Sequence, residues 1–156
     1  MFKVDDYIMY GRTGVCKVVD ITNEKFINGE ERKYYVLSPI HNNNTIIKIP
    51  LDNTKIPMRK IISKEDVTSL INDMSNMEAL WIEDEKKRSN EFKTMLKSGK
   101  CEDLIKLISN KRHSKKLNKA DKEIIKEAER LVNEEFAIIL NISPKEVNSY
   151  ISSKRA

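Results

Sequence analysis

Trp81 is the only tryptophan of the chain and opens its most basic stretch, Trp81-Ile-Glu-Asp-Glu-Lys-Lys-Arg88, which runs on to Phe92-Lys-Thr-Met-Leu-Lys-Ser-Gly-Lys100. Residues 86–116 carry eleven Lys or Arg against three acids, a local charge of +8 in a chain whose total is +5. A flat aromatic ring beside clustered cations suits a surface that neutralises phosphates and presses a ring against a base. The candidate cations are Lys86, Lys87, Arg88, Lys93 and Lys97, with Trp81 as the candidate ring. Each has a plainer reading. The lysines can be an ordinary solvated face. On a helix, Trp81 shares a face with Phe92 and Met95, which fits core packing. Arg88 falls on that face as well, and a buried Arg is rare unless it is paired. Lys111-Arg-His-Ser-Lys-Lys116 reads as a solvated loop between helices.

Little else in the chain points to catalysis. No G-x-x-x-x-G-K-[ST], G-x-G-x-x-G or H-E-x-x-H motif occurs. Gly11-Arg-Thr-Gly14 is too short for a phosphate loop, and a hairpin turn explains it more simply. The run Glu83-Asp-Glu85 invites a metal or hydrolase reading. Consecutive carboxylates on a helix diverge, however, and near a helix N-terminus they stabilise the macrodipole. Two histidines, His41 and His113, are too few for a His-based metal site. The expectation is therefore a protein that is not an enzyme, with no cofactor and no small-molecule substrate. Cys16 and Cys101 are lone cysteines without a C-x-x-C partner, as expected for reduced thiols in a cytoplasmic protein. No apolar run approaches the ~20 residues of a membrane span, and Met-Phe-Lys-Val-Asp-Asp-Tyr7 has no signal-like apolar core, so no membrane partner is expected.

The elements that must position these residues change character near residue 60. Three of the four glycines and three of the four prolines precede it. Tyr7–Tyr10, Gly14–Ile21, Lys33–Leu37 and Thr45–Ile49 are β-branched and aromatic runs of strand length. They are separated by Gly11-Arg-Thr-Gly14, by Asn28-Gly29, which suits a type I′ hairpin turn, and by His41-Asn-Asn-Asn44. Four or five short antiparallel strands in 60 residues predict a small SH3-like or Tudor-like barrel. From Ser63-Lys-Glu-Asp66, a capping box in form, the pattern turns helical. The spacing predicts further helices over about 78–97, ending at Ser98-Gly99, over 101–112 and over 118–140. Another starts at Ser143-Pro-Lys-Glu146. The fold class is α+β: an antiparallel barrel over 1–60, then an all-α bundle of about five helices over 63–156.

The order of features resembles a known family. A barrel opens with Phe2-Lys-Val-Asp-Asp-Tyr-Ile-Met-Tyr-Gly-Arg-Thr-Gly-Val15. An Asn-Gly hairpin precedes Tyr34-Tyr-Val-Leu37, and a strand ends Ile47-Lys-Ile-Pro50. The helical half carries a Trp, Leu96-Lys-Ser-Gly99, and Leu117-Asn-Lys-Ala-Asp-Lys-Glu through Ala128-Glu-Arg-Leu131. This looks like the CarD/CdnL family of bacterial transcription regulators. Their first domain is similar to the polymerase-binding module of the transcription-repair coupling factor, whose helicase motors are absent here. The resemblance implies a barrel that docks on the RNA polymerase β subunit through Lys25, Lys48, Ile49 and Pro50. It implies a helical domain that meets promoter DNA at the upstream edge of the melted bubble and stabilises the open complex. There Trp81 would wedge against the base edge, and the basic side chains would hold phosphates. Nothing resembles a recognition helix, so DNA contact would not be sequence-specific. The remaining alternative is a polymerase- or protein-binding adaptor that never touches DNA.

Overall fold

A computed structural model describes residues 1–42, 44–53, 55–77 and 80–155. The chain divides into two compact units, Met1–Ile61 and Ile62–Ala156.

The first unit is an antiparallel five-stranded sheet: β1 (Tyr7–Tyr10), β2 (Gly14–Lys25), β3 (Glu31–Pro39), β4 (Ile47–Pro50) and β5 (Met58–Lys60), in the order β4-β3-β2-β1-β5. Alternation decides which side chains turn inward. Ile8, Tyr10, Cys16, Val18, Tyr35 and Leu37 are buried together, with Phe2, Ile21, Ile47, Ile49, Leu51 and Met58 packed against them. The β2–β3 pairing shifts register between Val18 and Asp20, and Val19 is pushed out to solvent. Beyond the shift the two strands run on as a long arm to the pair Lys25–Glu31.

Gly11-Arg-Thr13 forms a single 3-10 turn between β1 and β2. Gly11 has φ +46, and a Cβ there would lie 2.6 Å from Ile56 Cγ2. The β2–β3 connection departs from the expected two-residue type I′ turn. Only Gly29 is left-handed, at φ +86, while Asn28 is not among the positive-φ residues. The Gly29 N–H donates to the Phe26 carbonyl at 2.9 Å, and the Phe26 N–H donates to the Glu30 carbonyl at 2.8 Å. The loop is thus a four-residue turn over Phe26–Gly29, with glycine in the bulge position that allows the strands to keep their twist. The short edge strand β5 has no strand-like run of its own and owes its form to pairing with β1.

The second unit holds α1 (Lys64–Asp73), α2 (Glu85–Ser98), α3 (Cys101–Ser109), α4 (Lys119–Leu140) and α5 (Val147–Arg155). Ser63 and Asp66 form the capping box of α1, and Asn118 and Asp121 form one for α4. Gly99, left-handed at φ +68, ends α2. The third predicted helix stops at Ser109 and continues as a 3-10 turn over Asn110–His113. The second starts seven residues later than expected. Asp84 accepts a hydrogen bond from the Lys87 N–H at 2.9 Å and caps α2. Trp81–Glu83 precede the helix in irregular backbone, and positions 78 and 79 lie outside the described residues. An Asp that binds the backbone two or three residues ahead competes with helix continuation. Leu104, Leu107, Leu131 and Phe136 are among the large apolar side chains fully buried in this unit. Glu135, fully buried, accepts the Ile62 N–H at 3.0 Å and the Cys101 thiol at 3.0 Å. Among the described residues, no helix is long and apolar enough to cross a membrane.

The glycine geometry predicts an order of cost. Gly29→Ala meets open space and should lose about 1 kcal/mol through its positive φ alone. Gly11→Ala must displace Ile56 as well and should lose clearly more. Denaturant unfolding of the two variants, followed by circular dichroism, reads the difference. Equal losses would mean that Ile56 gives way freely.

Candidate functional site

α2 has two faces. Arg88, Phe92, Met95 and Leu96 are buried. Lys86, Lys93 and Lys97, at i, i+7 and i+11, fall within about 40° of one another and span ~16 Å along the axis. All three are exposed, as is Lys87, a quarter turn round. A row of ammonium groups on the solvent side of an amphipathic helix can follow a phosphate backbone, because no neighbouring carboxylate is set among them except Glu91.

Arg88 is not part of that row, and the expectation that it holds a phosphate is corrected. It is 4% exposed and Asp121 is 0% exposed. Its Nε donates to Asp121 Oδ2 at 2.9 Å, and its Nη1 donates to the carbonyls of Ile82 at 3.1 Å and Glu83 at 3.4 Å. The guanidinium also lies 4.7 Å from the centre of the Trp81 ring. Removing one member of such a buried pair leaves an uncompensated charge, which typically costs ~3–5 kcal/mol.

Trp81 is neither a core residue nor a free wedge. Lying ahead of α2, it does not share a helical face with Phe92 and Met95. It is half-buried, with the His113 ring 4.5 Å away at a tilt of 38°. The indole Nε1 is buried without a hydrogen-bond partner, an arrangement that costs about 1–3 kcal/mol. Contacts with the cation and the imidazole must offset that loss. Arg112 Nε donates to His113 Nε2 at 3.1 Å, which requires that nitrogen to be unprotonated. The loop supplying His113 exposes Lys111, Arg112, Lys115 and Lys116; Lys111 pairs with Glu129 at 3.0 Å and Lys116 with Glu83 at 3.8 Å. Leu80, beside the tryptophan, is exposed. The acids 83–85 are dispersed: Asp84 caps α2, Glu83 faces Lys116, and Glu85 Oε1 accepts from Asn118 Nδ2 at 2.8 Å. Among the described residues, no group of three or more His, Cys, Asp or Glu is arranged to hold a metal ion.

In the sheet unit the four singled-out residues do not form one patch. Register places Lys48 opposite Val36, Pro50 opposite Tyr34 and Ile49 opposite Tyr35. Pleat alternation therefore sets Lys48 and Pro50 on one face and turns Ile49 to the core, where it packs. Lys25 alternates with Ile21 and Asn23 on the face opposite to Lys48, at the far end of the arm. Lys48 Nζ donates to Glu24 Oε1 at 2.5 Å, and that hydrogen bond and charge raise the ammonium above its usual range. Both groups are solvated, so the pair adds little stability. The exposed apolar side chains Phe26 and Ile27 at the tip of the β2–β3 arm are functional candidates that the sequence reading passed over. The signal was present: turn positions favour polar residues, and an apolar pair just before Asn28-Gly29 breaks that rule.

Stability measurements separate the two kinds of cation. Arg88→Ala should lose ~3–5 kcal/mol in denaturant unfolding. Lys86→Ala, Lys93→Ala and Lys97→Ala should each stay within ~0.5 kcal/mol. A mild Arg88→Ala variant would mean that Asp121 is hydrated or neutral.

Residues 2–62 match the family model described as the CarD-like/TRCF RID domain, which covers the sheet unit. Among curated proteins, none matches the chain. The match supports a polymerase-interacting, transcription-associated protein with RNA polymerase as a partner. The match over residues 2–62 identifies the antiparallel sheet unit as a CarD-like/TRCF RID domain; the helical unit lies outside it.

Proposed function

We propose that the protein binds the RNA polymerase β subunit through its sheet unit and promoter DNA through its helical unit, prolonging the open complex without catalysing a reaction or using a cofactor. The observation that carries the DNA half is the row Lys86, Lys93 and Lys97 on the solvent side of α2, whose first turn follows a half-buried Trp81. Lysines on a rigid helix neutralise phosphates irrespective of sequence, so promoter choice falls to the polymerase. An indole held at the surface is suited to pack against an exposed base at the upstream edge of the bubble. The polymerase half is supported by the family match and by β4, an end strand of the sheet order that presents Lys48 and Pro50. End strands add a partner strand through their backbone, and flanking side chains choose the partner. The hairpin tip, Phe26 and Ile27, offers a second apolar contact.

Two measurements test this. The Lys86→Ala, Lys93→Ala, Lys97→Ala triple variant should bind polymerase–promoter complexes more weakly. The slope of log affinity against log salt should fall by about one unit per lost phosphate contact. An unchanged slope would leave a polymerase-binding adaptor without DNA contact. Lys48→Glu places a carboxylate beside Glu24 and should weaken binding to polymerase even without promoter DNA, with the far-UV spectrum unchanged. Full binding by that variant would remove β4 from the interface.

A further inference from the structure

We infer that Asp121 is a positioning residue for Trp81, acting through Arg88, with His113 as the second support of the indole. The inference rests on the DNA-facing reading of Trp81 and deepens it. The buried Nε1 has no partner, so the indole is not held by a hydrogen bond of its own. What touches it is the Arg88 guanidinium at 4.7 Å and the His113 ring at 4.5 Å. A guanidinium on a flexible arm offers a fixed surface only where its own hydrogen bonds are fixed. Arg88 meets that condition from two directions. Its Nε is held by Asp121, and its Nη1 is held by the carbonyl of Ile82, the residue that follows the tryptophan. It therefore ties the segment carrying the indole to the start of α4.

Asp121 is fixed in turn by its place in the α4 capping box. Its N–H donates to Asn118 Oδ1 at 2.8 Å, and its Oδ2 accepts the Asn118 N–H at 3.4 Å. Asn118 Nδ2 reaches across to Glu85 in the first turn of α2. The cap fixes the carboxylate, the carboxylate fixes the guanidinium, and the guanidinium sets the indole. None of the exposed lysines on α2 takes part in this chain.

The test is a double-mutant cycle on the full chain, with Trp81→Ala, Asp121→Asn and both together, reading the lifetime of the polymerase–promoter open complex. Trp81→Ala should shorten it on the order of fivefold or more, the rate equivalent of a lost base–aromatic stack. Asp121→Asn should shorten it comparably, and the double variant no further than the worse single one. Effects that multiply would overturn the inference. The emission of the free protein gives an independent reading, since Trp81 is the sole tryptophan. Asp121→Asn and His113→Ala should each shift it to the red and make it more accessible to acrylamide, while Lys86→Ala should not. Unchanged emission in both would overturn the inference. Arg88→Lys, which keeps the charge and loses the fork, should behave like Asp121→Asn and serves in its place if that variant does not fold. A shifted emission with an unaltered lifetime in Trp81→Ala would keep the positioning role and refute the DNA-facing reading instead.

Discussion

Burying a guanidinium removes it from water at a cost of several kcal/mol, which is recovered only if its donors meet well-placed acceptors. In the helical unit Arg88 meets that condition with Asp121 and the Ile82 carbonyl, and the candidate surface depends on this solution. The pair places the segment before α2 against the start of α4. It gives the indole a cation to rest on and leaves the lysines of α2 on the opposite, solvated side. A hydrophobic pair of similar volume could be as stable. It could not order the backbone carbonyl and the aromatic ring at once, which is the advantage of a planar fork with five donors.

The sheet unit meets a different constraint. Small antiparallel sheets must hide a core behind few residues, and alternation along β4 illustrates the result. Ile49 turns inward to pack, and Lys48 and Pro50 face out. A site on such a strand is every second residue, never a run of three. Along the β2–β3 arm, pleat alternation sets Lys25 on the face opposite to Lys48, and the apolar tip Phe26-Ile27 follows it, so the two faces can serve separate contacts.

What was legible in the sequence was local. Ser63 with Asp66 announces the start of α1 within four residues, and Tyr7–Tyr10 is an apolar and aromatic run of strand length. Gly99 marks the end of α2 because an L-residue resists φ +68. What was not legible was decided by partners distant in the chain. β5 is a strand only because β1 pairs with it. Arg88 looked like one more cation in a basic run, since its partner stands 33 residues away. The start of α2 was misplaced because Asp84 captures the Lys87 N–H, a competition that periodicity does not register. Trp81 consequently moved from a helical face to the segment before the helix, where neither the buried nor the free reading described it.

The central claim is that one chain joins polymerase and promoter DNA. The most direct test is the affinity of the full-length protein for RNA polymerase alone and for the same polymerase in an open promoter complex, each measured across a range of salt. The account predicts tighter binding and a steeper salt dependence when promoter DNA is present, because the α2 lysines then release counterions from phosphates. Identical affinity and identical slope with and without DNA would contradict it.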